Sequence, residues 1–409
     1  MSERVSFVKI VQLDIQGFRS LKNVSWRPGD LNVVIGPNGS GKSNLLRMLE
    51  MISATSGGKL ETLINSSGGA NQIVWDGETG GKVNYCLKFS DAFMEGDNPL
   101  TYQVEWQNYS IDRAIDYNII HEALDADDGF QYIEYKERSE SFLSESNGRI
   151  SVRQGQPTPI KIAYPNLETI LSTVNTLLSI VKGFDFVSMS WYCNQMTKWS
   201  TYQDIRVDQS ALIRQAPVSR LEQQVSSDGQ NLISVLHTLY TTDRNFKQDI
   251  NDAMFAAFGA DFDELIFPPA ADQRIQMRVR WKTLKREQST ADLSDGTLRF
   301  LFLITVLAAP NPPPLIAIDE PETGLHPSML PIIAEFAVEA ATRTQVIFTT
   351  HSDQFLSAFR DTRPTVTIAK WENGETTLTT LDDSELEYWL KDYSLGKLFR
   401  SGELENLAA

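Results

Sequence analysis

Residues 31–52 read "LNVVIGPNGSGKSNLLRMLEMI". The opening "LNVVIG" is a short apolar run of the kind that fills a parallel sheet buried on both faces. Leu45, Leu46, Met48, Leu49 and Ile52 then recur at helical spacing. Between them, "GPNGSGKS" at 36–43 meets GxxxxGK[ST] at every fixed position. Gly36, Gly39 and Gly41 let backbone N–H groups wrap an anion, and the helix start adds positive dipole. Lys42 is placed to reach β- and γ-phosphates, and the Ser43 hydroxyl to ligate magnesium. A ligand-free glycine loop is the bland alternative, and the flanking strand and helix weigh against it. The stretch predicts an α/β fold that holds ATP and Mg2+.

Three further segments fit around this loop. In "PLIAIDEPE", the apolar Leu315–Ile318 form a buried strand that delivers Asp319 and Glu320 at its carboxyl end, where open α/β sheets bind ligands. Asp319 suits a magnesium shell, and Glu320 suits a general base for an attacking water. In "QVIFTTHSD", His351 ends a second apolar strand about thirty residues later, the length of one strand–helix–strand crossover. His351 is therefore expected at the same sheet edge, near the γ-phosphate, although an isolated histidine at a strand end is more often structural. In "LSDGTLRF", Ser294 and Gly296 precede an apolar helix, so a hydroxyl, amides and a helix dipole meet at one point. Taken alone this is a helix N-cap. Beside a phosphate loop, a second anion turn is most useful on the far side of the γ-phosphate, supplied by a second copy across a two-fold axis.

The composition bounds the rest. The 409 residues carry a formal charge of −16 and two cysteines, Cys86 and Cys193, without CxxC spacing. That charge weighs against wholesale nucleic-acid coating, and the cysteines point to a reducing cytoplasm without a zinc clip. The start "MSERVSFVKI" lacks a signal-peptide core, and "FLFLITVLAA" is too short to span a bilayer. Residues 54–82 are rich in small polar residues and read as loop. Val83, Tyr85, Leu87 and Phe89, then Tyr102, Val104 and Trp106, with Ile133 and Tyr135, alternate as an antiparallel wing. "NLETILSTVNTLLSIVKGF" carries a helical stripe, Asp228 reads as a cap before Leu232, Leu236 and Leu239, and Phe246, Ile250, Ala253 and Ala257 suggest another helix. "RIQMRVRWK" alternates strictly, with Arg274, Arg278, Arg280 and Lys282 on one face. "SELEYWLKDYSLGKLF" reads as short amphipathic helices. The expected division is 1–160 as the first part of an α/β core with its antiparallel wing, 161–265 as a mostly helical insertion, and 266–409 as the second part of the core.

The order of these motifs resembles an ABC-type ATPase. "LDIQGFRSLKNVSW" with "GPNGSGKSNLL" resembles its RecF/SMC branch, and "DGQNLISVL", "LSDGTLRFL", "DEPETGLHP" and "YWLKDYSLGKLF" resemble the compact bacterial RecF-like ATPases of phage-defence systems. The resemblance implies a P-loop ATPase head with a mixed sheet, an antiparallel wing and a helical insertion. It implies that Gly36, Pro37, Asn38, Gly39, Ser40, Gly41, Lys42, Ser43 and Asn44 bind the nucleotide, that Ser43 and Asp319 ligate magnesium, and that Glu320 is the catalytic glutamate. Ser294 and Gly296 become the signature residues acting in trans, "ETGLHP" the D-loop, His351 the switch histidine, and Arg19 of "GFRS" a neighbour of the nucleotide. The signature reads LSDGT, not LSGGQ, so Asp295 brings a negative charge towards the phosphate; it either points away or slows turnover. Gln72 and Gln195 are candidates for the Q-loop glutamine. Too few residues follow His351 for a nuclease domain like that of OLD-type relatives.

The leading expectation is an ATP-hydrolysing switch that dimerises around ATP and controls a separately encoded effector in anti-phage defence. The alternative is a RecF-like DNA-binding repair ATPase using the Arg274–Lys282 face, and the competing reading of that face is a strand paired with acidic neighbours. A transporter subunit and a non-hydrolysing scaffold fit less well.

Overall fold

The structure, a computed structural model, describes residues 7–404 apart from 78–79, 91–98, 112–113, 137–146, 152–159, 164–166, 174–186, 360–361, 383–385 and 387–392. From the N-terminus come β1 (Ile10–Phe18), β2 (Leu21–Trp26), β3 (Leu31–Ile35), α1 (Lys42–Ser56) and α2 (Leu60–Ser66). Six strands follow: β4 (Lys82–Phe89), β5 (Leu100–Ile111), β6 (Ala114–Ala126), β7 (Gln131–Lys136), β8 (Asn147–Ile150) and β9 (Ile160–Ala163). Then come α3 (Val187–Thr197), β10 (Ser200–Tyr202), α4 (Leu232–Thr242), α5 (Arg244–Phe258), β11 (Phe262–Ile266), β12 (Pro269–Ala270), β13 (Arg274–Ile275), β14 (Arg278–Trp281) and β15 (Gln288–Ser289). The last stretch holds α6 (Asp295–Ala308), β16 (Leu315–Asp319), α7 (Leu330–Ala340), β17 (Gln345–Thr350), α8 (Asp353–Leu356), β18 (Thr365–Glu372), β19 (Glu375–Thr380) and α9 (Leu395–Arg400).

The chain forms two compact units, one of residues 1–29, 36–199 and 367–380, the other of 30–35, 200–366 and 381–409. In the first, eight strands run in the order β2-β1-β4-β5-β6-β7-β8-β9, antiparallel throughout. The alternating residues of the wing lie inward: Val83, Tyr85, Leu87, Tyr102, Val104 and Trp106 are fully buried. Glu122 of β6 is buried among them, and its carboxylate accepts the Tyr102 hydroxyl at 3.0 Å and the amides of Ile170 at 2.6 Å and Leu171 at 3.0 Å. It thus takes the first two amides of a helical turn whose third, Ser172, bonds the Thr169 hydroxyl at 3.3 Å.

In the second unit, β10, β16, β17 and β3 form a parallel sheet in that order. Its register pairs Tyr202 with Ile318, Asp319 with Thr349, and Thr350 with Ile35. The carboxyl ends of β10, β16, β17 and β3 are thus level at one edge. Leu315–Ile318 and all of β17 are buried, as the apolar runs predict. Asn32 bridges β3 to β17 through a 3.1 Å bond to the Val346 carbonyl.

Residues 200–265 lie in the same compact unit as the Asp319 strand. Several expectations change. The segment read as helical also supplies β10, which at three residues is too short to show a period. Residues 54–82 include α2. "RIQMRVRWK" is two short strands, β13 and β14, not one. α4 starts after Asn231, and Asp228 instead accepts the Gln230 amide at 3.1 Å. Of the stripe at 166–184, Ile170 and Leu171 are buried, whereas 174–186 lie outside the described residues, as do 387–392 of the tail.

Candidate nucleotide site

β3 ends at Ile35 and the chain enters the glycine loop at Gly36. Gly39 and Gly41 take φ of 82° and 94°, which side-chain-bearing residues avoid. A Cβ on Gly36 would collide with the Ala369 carbonyl, and one on Gly41 with the Thr376 hydroxyl. Lys42 is buried and its Nζ donates to the carbonyls of Gly36 at 2.8 Å and Pro37 at 3.0 Å. The Ser40 Oγ is buried without a partner. A cradle that admits no Cβ, an ammonium folded back on loop carbonyls and an orphan hydroxyl fit a bound triphosphate. Ser20 and Thr376, which sequence reasoning missed, hold this loop from outside. Asn44 Nδ2 donates to Ser20 Oγ at 2.8 Å, and the Thr376 hydroxyl lies 2.7 Å from Ser20 Oγ and 3.0 Å from the Ser40 carbonyl.

At the edge of the parallel sheet, consecutive threonines on β17 serve opposite sides. Thr349 donates its hydroxyl to Asp319, and Thr350 donates to Glu322 at 2.5 Å. Glu320 adopts φ 45°, a left-handed conformation rare for a non-glycine. Its amide bonds the Thr349 carbonyl at 3.0 Å, and its Oε1 lies 2.9 Å from His351 Nδ1. Asp319, Glu320 and His351 are thus brought together, as their spacing implies. Glu322 lies close by, its Oε1 4.0 Å from His351 Nδ1. Burial is the main cause that raises its carboxyl pKa, and the Thr350 hydrogen bond opposes it.

Ser294 caps α6: its Oγ accepts the Thr297 amide at 3.1 Å. Gly296 has no room for a side chain, because a Cβ would lie 2.7 Å from the Gly324 carbonyl of the "ETGLHP" turn. Asp295 points to Arg214, with which it forms an ion pair.

The remaining candidates separate. Arg19 takes φ 49° in its turn, and its buried Nε has no partner. Burial lowers its pKa, Arg47 adds to the lowering, and Glu50 opposes it. Gln72 lies in a short turn and Gln195 on α3, both in the unit that lacks Asp319. Gln203, which sequence reasoning passed over, follows β10 and lines a small cleft with Asp319, Glu320 and Arg299. Half of the basic face is ion-paired: Arg280 pairs with Glu264 and Glu287, and Arg278 with Glu287. Arg274 and Lys282 donate to the carbonyls of Ala216 and Ala260.

This fold is similar to that of SMC head domains. It matches the crystal structure of the SmcHead bound to the C-winged helix domain of ScpA at a TM-score of 0.53, covering 93% of this chain and 99% of that one, with 14% identity. The Smc head domain with an extended coiled coil, bound to the C-terminal domain of ScpA and derived from Pyrococcus furiosus, gives 0.50 over 94% and 99%, with 12% identity. Identities this low speak for the fold alone. No curated protein matches the sequence. The chain belongs to the family described as "AAA domain, putative AbiEii toxin, Type IV TA system", whose model matches residues 31–357.

Proposed function

We propose that the chain binds and hydrolyses ATP with magnesium, and that ATP closes two copies which part again on hydrolysis. The observation that carries this reading is Glu320: its strained backbone aims a carboxylate at His351 where the strand ends are level. In this reading Lys42 leaves the carbonyls of Gly36 and Pro37 for the β- and γ-phosphates, and loop amides take the other phosphate oxygens. Ser43 and Asp319 offer oxygen ligands to magnesium, which when bound offsets phosphate charge. Glu320 orients a water and takes its proton as the new O–P bond forms and the bond to ADP breaks. His351, held by Glu320, offers its other ring nitrogen to the γ-phosphate. Ser294 and the amide of Gly296 serve the nucleotide of the other copy. Gln203 has the position for the Q-loop glutamine. In this reading the opening and closing goes on to govern a separately encoded effector in phage defence. The ion-paired basic strand lends nothing to a DNA-clamp reading, and among the described residues no helix is long and apolar enough to cross a membrane.

The test combines turnover and mass. Glu320→Gln is expected to lower magnesium-dependent phosphate release by about 10² to 10⁴. Light scattering should show Glu320→Gln gaining mass with ATP, and Ser294→Arg in that background losing the gain. Equal turnover in wild type and Glu320→Gln would sink the hydrolysis claim; a mass indifferent to ATP would sink the switch.

A further inference from the structure

Asp295 sits at the first position of α6, where a negative charge would repel an incoming phosphate. The structure shows what takes up that charge. The Arg214 side chain is 3% exposed and lies in a cage of backbone carbonyls. Its Nε donates to Val207 at 2.8 Å and Asp208 at 3.2 Å. Its Nη1 donates to Leu293 at 2.7 Å and, at 3.3 Å, to Thr290 and Ala291. Its Nη2 pairs with the Asp295 carboxylate. The Thr290 hydroxyl returns a 3.1 Å bond to the Arg214 carbonyl. Carbonyl dipoles stabilise a cation but do not neutralise it, and a buried guanidinium stripped of its counter-ion is strongly unfavourable. Three of the caged carbonyls belong to the approach to Ser294, and two to the loop after β10. One planar fork therefore fixes both, a task that a lysine ammonium cannot match.

We infer that Arg214 is a positioning residue for ATP turnover: it takes Asp295 as its counter-ion, sets the Ser294 turn in its phosphate-receiving pose, and draws the Asp295 charge away from the phosphate. This rests on the reading of Ser294 as a phosphate contact. It gives LSDGT a reason to differ from LSGGQ, since the aspartate and the buried arginine require each other.

The deciding variant is Asp295→Asn, at a side chain 65% exposed, which keeps an oxygen acceptor for the Arg214 fork and removes only the charge. If Asp295 faced the phosphate, removing its charge would raise kcat and tighten ATP-driven association. The inference predicts the opposite sign, a fall in kcat of about tenfold or more. Binding of a fluorescent ATP analogue to the separate copy should change by less than about twofold, because the 36–43 loop is untouched. Arg214→Gln should lose at least as much, Arg214→Lys should not restore it, and Arg214→Gln with Asp295→Asn should be no worse than Arg214→Gln alone. Should Arg214→Gln fail to fold, Asp295→Asn still decides. An active wild type with Asp295→Asn equal or faster overturns this inference and leaves the proposed function standing. A wild type whose phosphate release does not depend on Glu320 overturns both.

Discussion

Glu320 holds a conformation that costs about 1–3 kcal/mol for a residue with a side chain. Glu320→Gly is therefore expected to raise stability by about 1 kcal/mol, read as a higher denaturation midpoint, while abolishing phosphate release. A variant that loses both would show that the His351 bond outweighs the strain. Glu322 adds a pH dependence. Burial raises its pKa above the ordinary 4.5, so the folded state prefers the protonated acid. Its favourable contribution is present below the unfolded pKa and is lost as pH rises through the folded one. Glu322→Gln keeps an acceptor for Thr350 and removes the charge. Its Tm should exceed wild type at neutral pH, with the gap closing towards pH 4.5; a gap independent of pH would assign the effect to packing. At this scale the places of Lys42, Ser43, Asp319, Glu320 and His351 were legible, because each sits at a fixed offset from a strand. Their supports were not. Thr376 meets Ser20 across 356 residues and Arg214 meets Asp295 across 81, and no local pattern encodes such distances.

Among elements, the strands with continuous apolar runs, β3, β16 and β17, were readable, and so was the alternation of β4 and β5. β10 was hidden, because three residues of "STY" carry no period and gain strand character from pairing with β16. The split of β13 from β14 was hidden too: Ile275, Met277 and Val279 are all buried, so burial kept its alternation where the ladder broke. In the antiparallel sheet, Glu122 carries a structural load. Glu122→Gln should destabilise the fold by about 1.5–3 kcal/mol by removing the charge behind three hydrogen bonds. Urea denaturation reads this directly, and a change below about 0.5 kcal/mol would mean that water replaces the carboxylate.

For the whole molecule, the charge of −16 and the ion pairs of Arg278 and Arg280 agree in leaving little free positive charge on β14. Arg280→Glu is accordingly expected to leave any retention on duplex DNA, and its salt slope, unchanged; a weaker, flatter binding curve would bring that strand back as a contact.

The pairing of β3 with β17 has a consequence for how the protein is made. Residues 31–35 leave the ribosome long before their partners at 345–350. At about 5–20 residues per second, the strand that launches the glycine loop waits roughly a quarter of a minute to a minute for its neighbour. Until then its apolar side chains need shelter, and the loop has no fixed root. Nascent chains halted before Gln345 should therefore fail to retain ATP. A message cut short of that strand would yield a fragment unable to hold nucleotide.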